Sequence, residues 1–359
     1  MMKRVLILLL LLLLASCSIP QSTAAVPASE SAPITLPVGL AFPPISTASG
    51  LSFTIKQMDA LNMTLIRIGT NWAHREPEPG AYYWDPLDER INALHDSGAS
   101  ILFTIPASGP DWACGEKTEN ESCVFQDEDA FRDYVKALLT RYAGKIDKMQ
   151  FGNEWDNLTW YPGTAEEFVR DTNIVYDVVQ EVSPETPVVL GGLTAAYPIY
   201  MTVCKNGAYL NFDALDLKDD TDLNARIERT VCSRDELEAR VEYVIENAHY
   251  DMLDLHLYDT SEHWLMLVNA VRQITDKPLI ISEFGGPSSA FEKYSQAYHA
   301  RRLELYLLTL QSLPIEEAYY FNLVDNPATY HSRSGLFTVT RRKKDAFNVM
   351  QHMLAAERE

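Results

Sequence analysis

Two stretches of the sequence decide the fold: Met149-Gln150-Phe151-Gly152-Asn153-Glu154-Trp155 and Pro278-Leu279-Ile280-Ile281-Ser282-Glu283-Phe284-Gly285-Gly286. Each is an apolar run that ends in a carboxylate, which is typical of a buried parallel strand with polar groups at its C-terminal end. In an α/β barrel the catalytic groups lie at those ends. Two carboxylates that face one another across a cleft are what cleavage of a glycosidic bond requires. Glu154 and Glu283 are therefore the candidate catalytic pair.

The rest of the chain alternates short β-like runs with amphipathic helical stretches. The predicted strands are 38–42, 65–69, 101–105, 148–152, 188–191, 252–257, 279–283 and 318–323. The predicted helices include 85–95, 128–142, 165–182, 234–248, 262–274, 288–313 and 344–355. Eight strands in about 320 residues favour a single-domain (β/α)8 TIM barrel, an α/β fold. A doubly wound open sheet would alternate similarly, but no Gly-rich phosphate loop opens any helix.

The N-terminus has the pattern of an export signal. A basic start, Met1-Met2-Lys3-Arg4, precedes an apolar run over 5–15 that is too short to span a bilayer. Leu14-Ala15-Ser16-Cys17 resembles the bacterial lipobox, in which the Cys becomes the acylated N-terminus. The sequence therefore predicts a lipoprotein signal peptide over 1–16, a Ser/Ala/Pro-rich flexible tether over 17–36 and the barrel over 37–359. Ordinary signal cleavage with an incidental Cys17 is the alternative. The lipobox predicts export to the cell envelope, where a lipid on Cys17 would be the only contact with a membrane.

Composition and charge limit the classes of molecule that the protein can be expected to bind. Lys and Arg number 30 against 50 Asp and Glu, for a net charge of −20, which argues against nucleic acid and anionic membrane surfaces. Such a charge is compatible with a neutral oligo- or polysaccharide substrate. The apolar content of 47% is that of an ordinary globular protein. The oligomeric state stays open.

Four cysteines follow Cys17, and an even number in an exported protein favours disulfides. We predict Cys114–Cys123 and Cys204–Cys232, because each pair would close one loop between elements. Zinc is the competing interpretation. It would need clustered thiolates or histidines, and neither pair has a CxxC spacing or a nearby His.

An Asn-Glu pair on the fourth strand and a Glu on the seventh together resemble the clan of retaining glycoside hydrolases built on (β/α)8 barrels. The resemblance covers the chain from about Val38 to Ala355 and is nearest to the β-xylosidase and α-iduronidase-like branch or its endo-acting relatives. It implies that Glu154 is the acid/base and that Glu283 is the nucleophile, with no metal and no cofactor.

Further positions fit the clan pattern. Arg67 ends strand two, where the clan keeps an Arg near the nucleophile, and His256 and Tyr258 end strand six, where it places a His or Tyr. Arg67 would keep Glu283 ionised, and Tyr258 would hold one of its oxygens. Asn153 would donate to the sugar 2-hydroxyl. On strand eight the clan usually carries a Trp as a sugar platform, whereas this chain has Tyr320-Phe321-Asn322-Leu323, so Asn322 is the candidate contact.

Aromatic residues near the predicted cleft are candidates for stacking on sugar rings. Trp72, Trp155 and Trp160 are predicted to bind substrate, with core packing as the alternative. Trp84 and Trp264 are interpreted as packing residues.

Two other functional classes stay open. A barrel that has lost catalysis could serve as a carbohydrate-binding surface lipoprotein, although both carboxylates are present. A metal-dependent barrel hydrolase would need His or Asp clusters at the strand ends, where only His256 qualifies. The sequence does not define the sugar, its linkage, or whether cleavage is endo or exo.

Overall fold

Eight parallel strands close into a barrel in chain order, each paired with the next and β8 paired with β1. This is a computed structural model, and it describes residues 31–210, 220–234, 236–286 and 294–355. The strands are Val38–Ala41 (β1), Leu65–Gly69 (β2), Ser100–Ile105 (β3), Lys148–Asn153 (β4), Val188–Leu193 (β5), Met252–Tyr258 (β6), Leu279–Gly285 (β7) and Ala318–Tyr320 (β8). The predicted (β/α)8 barrel is confirmed.

Helices connect the strands on the outside of the barrel. They are Ala48–Ala60 (α1), Asp85–Asp96 (α2), Glu128–Arg141 (α3), Ala165–Val182 (α4), Ala196–Ile199 (α5), Asp220–Thr230 (α6), Leu237–Asn247 (α7), Ser261–Val271 (α8), Gln296–Ser312 (α9) and Asp345–Met353 (α10). A Thr-Ala-Glu-Glu run gives α4 a complete capping box between Thr164 and Glu167. The first part of the helix predicted over 288–313 lies outside the described residues. No helix in the described ranges combines the length and the hydropathy needed to cross a bilayer.

Side chains alternate between the inside and the outside of the barrel, as strand geometry requires. The outward-facing residues pack against the helices in the main core, whereas the inward-facing ones form layers. The lower layer is apolar and consists of Ala41, Leu65, Leu102, Val189, Ile280 and Tyr319. Two residues further along three of these strands the inward-facing residues are polar, namely Arg67, Thr104 and Ser282, and Gln150 on β4 joins them. The barrel interior therefore changes from apolar to polar toward the C-terminal ends of its strands.

An irregularity in β7 places two consecutive residues at the mouth of the barrel. Asp254 pairs with Ile280 but His256 pairs with Glu283, so β7 contains one more residue than β6 over this interval. The register between β7 and β8 shifts at the same place. An extra residue of this kind is a β-bulge, which breaks the alternation and re-aims side chains. Ser282 and Glu283 can therefore both contact groups at the barrel mouth.

The N-terminal end of the described chain is held against the bottom of the barrel. The backbone N–H groups of Thr35 and Leu36 donate to Gln311 Oε1 at 2.7 and 2.9 Å, and that of Ile34 donates to the carbonyl of Met353. The folded body thus includes residues 31–36, so the predicted end of the tether at 36 lies too far along the chain. The predicted signal peptide and Cys17 lie outside the described residues.

Both predicted disulfides are present. The Cα atoms of Cys114 and Cys123 lie 5.7 Å apart, and those of Cys204 and Cys232 lie 5.5 Å apart. The first closes the long loop after β3, and the second closes the excursion between β5 and α7.

Candidate active site

Glu283 lies at the centre of a buried polar cluster at the C-terminal end of the barrel. Arg67 Nη1 donates to its Oε1 at 2.7 Å, and the Tyr258 hydroxyl donates to its Oε2 at 2.5 Å. Burial alone would raise the pKa of this carboxyl. The positive charges of His256 and Arg67 and the hydrogen bond from Tyr258 outweigh burial, so the pKa of Glu283 lies below its usual value. Glu283 is therefore an ionised carboxylate held at both oxygens.

Glu154 faces Glu283 across the barrel mouth. Its backbone has φ = 48°, which turns the chain sharply out of β4 just after Gly152, whose φ is 80°. The side chain of Glu154 is 22% exposed and that of Glu283 is 10% exposed, so both are accessible from solvent. One carboxylate oxygen of each and a ring nitrogen of His256 all lie within 4.8 Å of one another.

His256 connects the two carboxylates. Its Nδ1 lies 3.0 Å from Glu154 Oε1 and 3.9 Å from Glu283 Oε2. Burial lowers the pKa of the ring, but the charge of Glu283, the charge of Asp254 at 3.6 Å from Nε2 and the hydrogen bond with Glu154 together raise it to about 10. His256 is therefore an imidazolium near neutral pH in the ligand-free site.

Arg67 organises the floor of the site. Its guanidinium is fully buried, and it donates from Nε to Gln150 Oε1 at 2.9 Å and from Nη2 to Asn153 Oδ1 at 2.9 Å. Because the oxygen of Asn153 accepts this bond, its amide nitrogen is oriented as a donor toward another group. The Phe42 ring, at the end of β1, covers the guanidinium at 4.6 Å from Arg67 Cζ.

The loop that follows Glu154 is fixed by an arginine from α7. Arg240 donates from Nη1 to the carbonyl of Gly163 at 2.8 Å and from Nε and Nη2 to the carbonyl of Trp155 at 3.2 and 3.0 Å. The next residue of the loop, Asp156, accepts from the backbone N–H of Thr194 at 3.0 Å. The position of Glu154 thus depends on contacts from β5 and α7 as well as on β4.

Trp72 and Trp155 do not take the predicted sugar-binding role. Both are completely buried. Trp72 Nε1 donates to Glu76 at 2.6 Å, and Trp155 Nε1 donates to the carbonyl of Gly191 at 2.7 Å while its ring stacks on Phe168. The prediction is wrong for these two residues because each indole has a hydrogen-bond acceptor inside the fold and can pack there without cost. Trp84 and Trp264 are packing residues, as predicted.

Trp160 and Asn322 make no hydrogen bond or ion pair with Glu154 or Glu283 among the contacts of the described residues. Trp160 is 36% exposed in the loop after Glu154, so its predicted contact with substrate stays a prediction. Asn322 is buried at the end of β8, and its Oδ1 has no hydrogen-bond partner among the described residues. The predicted contact of Asn322 with substrate stays a prediction. Its neighbour Phe321 approaches Tyr258, at 6.4 Å between ring centroids.

Sequence reasoning missed several residues of the site. Asp254 and Ser282 lie below His256, and His331, in the loop after β8, stacks on Tyr258 at 3.6 Å between centroids. Asp254 could have been found, because it is a charged residue two positions before His256 in an otherwise apolar strand and so faces the barrel interior. Nothing in the sequence marks His331, which reaches the site only through the path of its loop.

Glu154, His256 and Glu283 also form a set that could hold a metal ion. Carboxylates and an imidazole suit zinc chemically. However, Arg67 and Tyr258 already contact the two oxygens of Glu283, and a cationic guanidinium at 2.7 Å opposes a second positive charge there. This donor set therefore fits an ionised catalytic carboxylate better than a metal ligand.

A family model described as beta-galactosidase, of the glycoside hydrolase family 42 type, matches residues 47–130. No curated protein sequence matches the chain.

Solved structures share the fold at low sequence identity. The exo-beta-1,4-mannosidase Op5Man5 from Opitutaceae bacterium strain TAV5 is 16% identical with a TM-score of 0.63 over 92% of this chain and 61% of that protein. A GH5_18 protein from Streptomyces cattleya in complex with GlcNAc is 13% identical with a TM-score of 0.65, covering 90% and 80%. Beta-glucosidase from Thermotoga maritima in complex with deoxynojirimycin is 14% identical with a TM-score of 0.60, covering 89% and 97%.

The chain spans less than two-thirds of the length of the mannosidase. At these identities the likeness establishes the fold, and the family-model match adds a sequence link over part of it. Together they fit the predicted resemblance to the clan of (β/α)8-barrel glycoside hydrolases.

Proposed function

We propose that this protein is a retaining glycoside hydrolase that acts on β-linked glycans, with Glu283 as nucleophile and Glu154 as acid/base. The observation that carries the proposal is the separation of the two carboxylates, whose oxygens approach within 4.8 Å. Retaining enzymes have carboxyl groups about 5–5.5 Å apart, whereas inverting enzymes need roughly 6.5–9.5 Å to admit a water. The separation therefore supports direct attack by one carboxylate on the anomeric carbon.

The surroundings of Glu283 suit a nucleophile. Its low pKa keeps the attacking oxygen charged, and the bonds from Arg67 and Tyr258 fix its position before substrate arrives. In the first step a Glu283 oxygen forms a bond to the anomeric carbon while Glu154 protonates the departing oxygen. In the second step Glu154 takes a proton from water, and the water oxygen displaces Glu283.

Asn153 is placed to recognise the sugar. Its oxygen is fixed by Arg67, and its amide nitrogen can donate to the hydroxyl next to the anomeric carbon. A hydrogen bond of this type strengthens as charge develops in the transition state.

The proposed substrate class is supported by the similar solved structures and by the net charge of the chain. The similar structures named above include one in complex with GlcNAc and one in complex with deoxynojirimycin, which supports a sugar ligand here. A chain with a net charge of −20 is compatible with a neutral glycan. We also propose export and lipid attachment at Cys17, in accord with the two disulfides.

The first test is sugar release by the wild-type protein from a panel of β-linked glycans and aryl β-glycosides. We expect release from at least one substrate, and a loss of about a thousandfold or more in Glu283→Gln, because an amide cannot act as the nucleophile. Treatment with EDTA should leave the rate unchanged. A rate that EDTA abolishes and zinc restores would instead indicate a metal-dependent hydrolase. Binding of a glycan without turnover would indicate a carbohydrate-binding protein.

A further inference from the structure

A third carboxylate, Asp254, lies beneath Glu154 and Glu283 and has no surface exposed to solvent. Asp254 is completely buried inside the barrel, between His256 and the apolar layer. A buried charge is costly unless hydrogen bonds compensate it. Three donors do so: Gln150 Nε2 at 2.7 Å to Oδ2, the backbone N–H of Ser282 at 2.7 Å to Oδ1, and the Ser282 hydroxyl to Oδ2.

The direction of these bonds follows from the chemistry of the groups. Arg67 Nε can only donate, so the Gln150 oxygen must face it and the Gln150 nitrogen must face Asp254. Asp254 is therefore an acceptor at both oxygens and has no proton to give. The Ser282 hydroxyl must then donate to Asp254, which leaves Ser282 Oγ to accept from His256 Nε2 at 3.1 Å.

We propose that Asp254 is a positioning residue that, through the Ser282 hydroxyl, keeps a proton on His256 Nε2 and makes His256 Nδ1 the group that exchanges a proton with Glu154. Nδ1 is the nitrogen that lies 3.0 Å from Glu154 Oε1. The proposal rests on the proposed function for its catalytic consequence, because the proton that Nδ1 and Glu154 share is the one that the leaving group needs.

The proton transfer balances. The step starts from an imidazolium with protons on both nitrogens and a Glu154 carboxylate. Transfer breaks the Nδ1–H bond and forms a bond from hydrogen to Glu154 Oε1, which leaves a neutral imidazole that is protonated on Nε2 and a neutral carboxylic acid. Glu154 then protonates the leaving oxygen. In the second step it takes a proton from water and can return it to Nδ1, so the cycle ends as it began.

The charged surroundings favour this arrangement. Burial raises the pKa of Asp254, but the positive charges of His256 and Arg67 and the hydrogen bond from Ser282 lower it overall, so it stays ionised. The β5 neighbour of the ring is Gly192, which has no charge. The titratable or charged groups that face this pair from the packed elements are Arg67 on β2, Glu154 after β4, Tyr258 on β6, Glu283 on β7, Tyr319 on β8 and His331 in the following loop.

The test reads the protons of His256 directly and does not depend on turnover. Wild type, Asp254→Asn and Ser282→Ala are labelled with ¹⁵N-histidine, and the ring nitrogens are followed by NMR between pH 5 and 10. In wild type we expect an imidazolium at neutral pH that loses its Nδ1 proton first. In Asp254→Asn we expect the titration midpoint to fall by about one pH unit or more, since a carboxylate partner is lost. We also expect the preference for a proton on Nε2 to weaken.

Ser282→Ala keeps the charge of Asp254 and removes only the connecting hydroxyl. It should weaken the Nε2 preference in the same way, and it keeps the proposal testable if Asp254→Asn does not fold. The matched control is Glu317→Gln, which changes a buried carboxylate at the other end of the barrel that is paired with Lys148 and Tyr319. It should leave the His256 titration unchanged.

Kinetics separate this proposal from the proposed function. On a substrate that wild type hydrolyses, Asp254→Asn should slow glycosides with poor leaving groups about tenfold more than aryl glycosides with activated leaving groups, which need little acid assistance. An unchanged His256 titration in both variants would overturn the proposal even if wild type were active. An inactive wild type whose His256 responds as expected would support the hydrogen-bond chain and would count against the glycosidase assignment.

Discussion

Gly192 on β5 leaves the space that the His256 ring of the candidate site occupies. A Cβ added there would lie 2.2 Å from His256 Nε2 and 2.6 Å from Cε1, far inside van der Waals contact. The ring of His256 can therefore reach Ser282 and Glu154 only because β5 has a glycine at this position. Since the obstacle is a side chain and not the backbone conformation, the effect of a substitution should depend on His256 itself.

We predict that Gly192→Ala lowers the free energy of unfolding by about 1–3 kcal/mol, the usual cost of overpacking, and displaces His256 from its partners. In a His256→Ala background, Gly192→Ala should leave the free energy of unfolding almost unchanged. A double-mutant cycle by urea denaturation measures the difference. An equal loss of unfolding free energy in the two backgrounds would show that the clash with His256 does not cause the destabilisation.

The site residues that lie at the ends of predicted strands could be identified from the sequence. The residues whose position depends on how a loop packs could not. Arg67, Asn153, Glu154, His256 and Glu283 all lie toward the C-terminal ends of the strands predicted to carry them. The indoles of Trp72 and Trp155 were assigned wrongly because a loop can turn an aromatic ring into the core, and sequence spacing does not reveal that direction.

At the scale of elements, the bulge in β7 is the feature that completes the site. Strict alternation would point Ser282 into the barrel and Glu283 out of it. The extra residue lets Glu283 join the inward-facing groups, and it leaves the backbone N–H of Ser282 to bind Asp254. The strands themselves could be predicted to within a few residues because their apolar runs are continuous. The bulge could not, since it adds a residue without changing the composition of the run.

The helices Ala48–Ala60 and Ala196–Ile199 were not predicted from the sequence. The helix Ala48–Ala60 contains Ser, Thr and Gly and has only a weakly segregated apolar face, so its period is faint in the sequence. The short turn Ala196–Ile199 is below the length at which a helical period can be recognised.

A further element-scale prediction concerns Asp171 on α4. Its carboxyl is completely buried beside Arg170 and the Tyr161 hydroxyl, and burial raises its pKa from 3.8 to about 7. The folded state therefore binds the proton of Asp171 more tightly than the unfolded state does. As pH rises from about 4 to about 7, the free energy of unfolding falls by roughly 1.4 kcal/mol per pH unit because of this group.

Asp171→Asn lacks this titration, so its stability relative to wild type should increase between pH 4.5 and pH 7.5. Urea unfolding at both values measures the change. Asp177→Asn, an exposed position on the same helix, serves as the control and should show no such trend. A relative stability of Asp171→Asn that stayed constant or fell with pH would contradict the account.

At the scale of the whole molecule, the active site depends on closure of the barrel. The groups around Glu283 come from β2, β4, β6 and β7, which are far apart in sequence and meet only because β8 pairs with β1. The two disulfides tie down the long excursions after β3 and β5 that leave this same end. The second excursion also contacts the loop of Glu154 through Thr194 and Asp156. The geometry of the candidate site is thus a property of the entire fold.

The most direct test of the central claim, that Glu283 is the nucleophile and Glu154 the acid/base, is azide rescue of two variants on one activated aryl β-glycoside. In Glu283→Ala, azide should attack from the vacated side and give a glycosyl azide of inverted, α configuration. In Glu154→Ala the covalent intermediate still forms, so azide should replace water and give the retained, β configuration. Proton NMR of the two products distinguishes them. Products of the same configuration from both variants, or full activity without azide in either, would contradict the assignment of these two carboxylates.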